Sequence, residues 1–81
     1  MSNTYIYFLN DSIKQLIELA KAIDPQGDSF KIGIVQGYYE SIARLLNQAE
    51  GFGILEQLDD EIQNFEVESL LSNLNSDSKK V

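Results

Sequence analysis

The chain has 81 residues and a mass of 9.1 kDa, which is one domain with one small core. Hydrophobic residues make up 43% and charged residues 23%, too apolar for disorder, and six bases against 13 acids give −7, which excludes binding nucleic acid or anionic membrane through a basic surface. Cys and His are both absent, which removes disulfides, thiolate nucleophiles, ordinary zinc sites and imidazole acid–base chemistry, and with them most enzymes.

The first segment, Thr4 to Ile23, carries Ile6, Leu9, Ile13, Leu16, Ile17, Ala20 and Ile23 at spacings of three and four, one face of a helix. Ser2 or Asn3 is placed to cap it, with Asp11-Ser12 as a later start. The aromatic stretch Tyr5–Leu9 also suits a short strand, but no second strand is available to pair with it, so helix is expected. The start has no basic region, and Asn10 and Asp11 end the apolar run. No secretory signal is therefore expected, no membrane span either, and a cytoplasmic location is.

Asp24-Pro25-Gln26-Gly27 stops the first helix. The second is expected from Asp28 or Ser29, both good N-caps, to about Ala49, with Gly51 as the residue that ends it. Ile34, Tyr38, Ile42, Leu45 and Ala49 form its stripe, widened by Val35 and Leu46. Gly33 and Gly37 lie four apart on one side, which predicts a close crossing with the first helix. Tyr38 and Tyr39 are adjacent, so one is expected in the core and the other in solvent.

A third short helix is expected over Ile54, Leu55, Leu58 and Ile62, broken at Asn64-Phe65, then a last turn with Val67, Leu70, Leu71 and Leu74. The sum is an all-α small helical bundle: an antiparallel helical hairpin with one or two short C-terminal helices. Residues 1–75 form the domain and 76–81 a polar, frayed tail.

The charge is segregated. Residues 50–68 hold seven acids and no base, while 1–49 sum to −1 and 69–81 to +1. One reading is a solvated face that keeps a small protein soluble. The sharper reading is a docking surface for a basic protein, since uncompensated like charges repel. The expected partner-binding residues are Tyr39, Glu40, Glu56, Asp59, Asp60, Glu61, Phe65 and Glu66. No catalytic residue, cofactor or metal site is expected. Asp59, Asp60 and Glu61 are consecutive, so on a helix they point about 100° apart and do not converge on a cation. The Asp24–Asp28 loop lacks the alternating ligands of a calcium loop, and there is no phosphate-cradling glycine loop or nucleophile–base pair.

Lys31-Ile32-Gly33-Ile34, then Gly37-Tyr38-Tyr39-Glu40-Ser41-Ile42, then Leu45 through Ile54, with the acidic segment after them, resemble the small helical immunity proteins of bacterial contact-dependent growth inhibition and related toxin systems. The resemblance spans about 40 residues and carries over no individual site residue. It implies a non-enzymatic inhibitor that binds the toxic domain of a cognate effector, often a nuclease with a basic surface. Two alternatives stand beside it. One is a phage-type nucleic-acid mimic aimed at a host defence or DNA-binding protein. The other is a structural or adaptor module that self-associates through exposed apolar helix surface.

Overall fold

The computed structural model describes residues 3–72. It is all-α, with α1 at Thr4–Lys21, α2 at Ser29–Gly51, a 3₁₀ turn at Leu55–Gln57 and α3 at Asp60–Gln63; residues 69–72 are helical again. Helices α1 and α2 pack side by side as the expected hairpin, and the C-terminal segment folds back onto both. Tyr5–Leu9 belongs to α1. Leu74, the last of the predicted domain and the predicted tail lie outside the described residues.

Helix α1 buries Ile13, Ile17 and Ala20, with Ile6, Leu9, Leu16 and Ile23 half-buried around them, as the spacing predicts. It starts at Asn3 without a side-chain cap and stops at Lys21, two residues short of the periodic pattern. Beyond it Pro25 is buried, and Gln26 and Gly27 both take positive φ, 39° and 79°. The Asp28 N–H donates to the Pro25 carbonyl at 2.7 Å and closes this turn. Two successive left-handed residues are the pattern of a type I′ turn, which Gly27 adopts without steric cost. Asp28 then caps α2: its carboxylate accepts from the Phe30 and Lys31 N–H groups, two of the donors a helix start leaves unpaired.

Helix α2 runs two residues further than the sequence suggests. Gly51 is its last helical residue, and Gly53, at φ 73°, takes the left-handed position. The Gly53 N–H donates to Glu50 O and the Ile54 N–H to Ala49 O, a Schellman closure. Ile54 packs against the buried cluster that contains Ala49, which adds the apolar contact typical of that ending.

The predicted glycine crossing is not formed. Gly33 and Gly37 are exposed, and a Cβ added at either meets nothing within 4 Å. The buried line of α2 is Val35, Ile42 and Ala49. The glycines sit on a different face, and Ile34, assigned to the stripe from its spacing, is exposed with them. Without a crossing to relieve, each glycine only costs helix stability. Replacing Gly33 or Gly37 by Ala should therefore stabilise the protein by about 1 kcal/mol each, read as a higher urea midpoint at unchanged slope.

The third predicted helix is likewise interrupted. After the 3₁₀ turn, Leu58 and Asp59 adopt extended backbone, with ψ 166° and 150°, before α3 restarts. The Gln63 side-chain amide donates to Glu56 O at 3.1 Å and Leu58 O at 2.7 Å, so it occupies carbonyls at the break. The bend brings both Leu58 and Ile62 into the core. Ile13, Ile42 and Ile62 are the largest fully buried side chains, one each from α1, α2 and α3, so the three helices share one centre.

Candidate functional site

Asp59 makes the polar link between the acidic segment and α1. The Asp59 N–H donates to Asn10 Oδ1 at 2.7 Å, while Asn10 Nδ2 donates to Asp59 Oδ2 at 3.1 Å. Lys14 Nζ lies 3.0 Å from the same Oδ2 and 3.7 Å from Glu61 Oε1. Asn10 and Lys14 are one helical turn apart, so they face the same way. Asp59 stands at the N-cap position of α3, yet its carboxylate caps no N–H there, being turned towards α1. Further along, the Lys21 ammonium lies 5.6 Å from the Phe65 ring centroid.

The hydrogen bond from Asn10 and then the contact with Lys14 hold the Asp59 carboxyl below its ordinary value of 3.8. The bond to Asp59, its charge and that of Glu61 hold Lys14 above 10.5. The lowered carboxyl contributes stability above 3.8 and loses it as pH falls through the lowered value. The raised amine contributes below 10.5 and loses it as pH rises through the raised value. Asp59 is exposed and Lys14 partly so, so the energies are small, but the order of causes is testable. In an NMR titration the Asp59 N–H signal should move with a midpoint below 3.8. Asn10→Ala should raise that midpoint further than Lys14→Met; the reverse order would make Lys14 the main holder.

The expected site residues separate into two groups. Asp59 and Glu61 face Lys14 and fix the segment in place. Glu56, Asp60 and Glu66, together with Glu50 and Glu68 of the same stretch, are exposed and form no ion pair among the described residues. Tyr38 and Tyr39 are both half-buried against the core, so the expected split between core and solvent does not occur. The core line of α2 passes between them at Val35 and Ile42, which leaves each ring on one shoulder. Phe65 is half-buried as well, with Lys21 over its ring. Glu40 is exposed on α2. Asn10 and Lys14 also hold the acidic segment, and the sequence carries no local signal for them, because their partner lies 45 to 49 positions away.

Between α1 and α3 lies a pocket of about 120 Å³, reached by Lys14, Lys21, Glu18 and Glu61. It has room for a few waters, well short of the roughly 300 Å³ a small-molecule site starts from. Among the described residues no three Asp or Glu side chains are grouped to hold a metal ion, and no helix is long and apolar enough to cross a membrane. What the segment offers is a set of exposed carboxylates. No protein-family model, curated protein or solved structure matches this chain.

Proposed function

We propose that this chain is a non-enzymatic inhibitor of the immunity type, which covers the basic substrate groove of a nuclease toxin with the acidic surface of residues 50–68. The supporting observation is the set of five exposed carboxylates, Glu50, Glu56, Asp60, Glu66 and Glu68, that form no ion pair among the described residues, on a segment that Asn10 and Lys14 join to α1. Pinned carboxylates can stand where nucleic-acid phosphates would lie and accept charge-assisted hydrogen bonds from Arg and Lys of the groove. Complementary charge steers the encounter and raises the association rate. Tyr39 and Phe65 are engaged with the core and with Lys21, so the carboxylates carry the recognition.

The test uses the full chain as bait in lysate of the strain that encodes it, beside a variant carrying Glu56→Gln, Asp60→Asn, Glu66→Gln and Glu68→Gln. The proposal expects a basic protein that is captured by the parent at low salt, released at moderate salt and lost with the variant. Its nucleic-acid cleavage should be blocked by one equivalent of the parent chain. Equal capture by both baits, or a captured protein whose cleavage is unaffected, overturns the proposal.

A further inference from the structure

The hairpin has two flanks, and among the described residues only one is covered. At about 100° per residue, Asn10, Lys14 and Lys21 project on one side of α1, the side that meets Asp59, Glu61 and Phe65. Tyr5, Phe8 and Leu19 project about 180° away. Because α2 runs antiparallel, its Phe30, Ile34 and Phe52 fall on that same open side. Tyr5, Phe8, Phe30 and Phe52 are 70–76% exposed, and Leu19 is 52% exposed. Positions 5, 8, 12, 16, 19 and 23 of the first segment and 30, 34, 37, 41, 45, 48 and 52 of the second include no charged residue, although 19 of the chain's 81 residues are charged.

We propose that this uncharged flank binds a second copy of the chain, so that two hairpins pair face to face with both acidic segments outermost. The area suffices. Large aromatic side chains offer about 150–250 Å² each, so four of them at this exposure present roughly 400–700 Å². Summed over both ends of the flank, that is comparable to the largest patch of a typical monomer, about 300–600 Å². With Leu19, Ile34 and the half-buried Leu16 and Leu45 it approaches the roughly 800 Å² per partner of a stable interface.

Charge selects the occupant. A face with no ionised group offers nothing to steer or register a charged partner, whereas its own copy matches it. Each chain is 16–17 Å across its short axes, so acidic segments on the far sides of a pair lie beyond the Debye length of about 8 Å at physiological salt. The net charge of −7 therefore does not oppose the pairing. Ser12 and Ser41, at the middle of the flank, leave a waist where the two copies can approach. This surface is separate from the acidic one, which stays open in the pair.

Sedimentation equilibrium on the full chain, from low to high micromolar concentration, tests the proposal. The parent should reach about 18 kDa, twice the chain mass of 9.1 kDa. Phe8→Glu and Phe30→Glu replace exposed side chains, so circular dichroism should be unchanged while the dissociation constant rises tenfold or more. Ser41→Arg, placed at the waist, should do the same by a different route and serves if either aromatic variant folds poorly. Tyr7→Glu, equally exposed but on the far side of α1, should leave the pair intact. A parent that stays monomeric at every concentration, a dimer indifferent to all three flank variants, or one disrupted equally by Tyr7→Glu overturns the proposal.

Discussion

Ile42→Ala should lower the stability of the whole domain by about 2–5 kcal/mol. Ile42 is fully buried and lies in the cluster that joins α1, α2 and the C-terminal segment. The truncation removes methylene and methyl contacts and leaves a cavity whose walls belong to different elements, so no single side chain can swing in to fill it. A domain of this length holds only about 4–12 kcal/mol in total. The substitution therefore removes a large share of it and should lower Tm by roughly 10–30 °C. Ile42→Val provides the graded control at about 0.5–1.5 kcal/mol. Thermal melts followed by circular dichroism read both, and a drop for the alanine variant no larger than that for valine would mean that the site collapses freely and is not a packed centre.

Ile62→Ala should cost a similar amount, about 2–5 kcal/mol, but distribute it differently. Helix α3 has four residues and Ile62 is its one buried side chain. So short a helix has no independent stability and persists only through packing. Losing the anchor should release the segment around Asp59–Gln63 before the hairpin opens, a local unfolding event. Amide exchange should then speed up at Ile62 and Gln63, whose N–H groups bond to Asp59 O, while the middle of α1 and α2 keeps its protection. Uniform loss of protection along the chain would instead show that hairpin and segment form a single cooperative unit. The same variant bears on the inhibitor proposal, because carboxylates on a loosened segment must be ordered again on binding.

What could be read from the sequence follows the reach of each signal. The apolar stripe of α1, the Asp28 cap and the turn at Pro25-Gln26-Gly27 are set by residues within a few positions of one another, and all three appear as expected. Gly33 and Gly37 misled because spacing shows that two residues share a helix face but not what lies opposite that face. The 3₁₀ turn and the extended Leu58-Asp59 link were hidden for a related reason. Ile54, Leu55, Leu58 and Ile62 have helical spacing, yet the chain bends so that Leu58 and Ile62 meet side chains of α1 and α2. Of the expected site, the concentration of acid was legible as composition. The division between Asp59 and Glu61, which hold the segment, and Glu56, Asp60 and Glu66, which remain open, was not, since it depends on Asn10 and Lys14 far upstream.

The clasp between Asn10 and Asp59 also sets a schedule for synthesis. Asn10 leaves the ribosome 49 residues ahead of the N–H it will bind, an interval of about 2–10 s at ordinary elongation rates. Helical hairpins built from nearby contacts form in far less than a second. Helix α2 ends at Gly51, only eight residues before Asp59, so the hairpin and its clasp become free to close almost together. The carboxylate surface therefore takes its geometry only once most of the chain has been made.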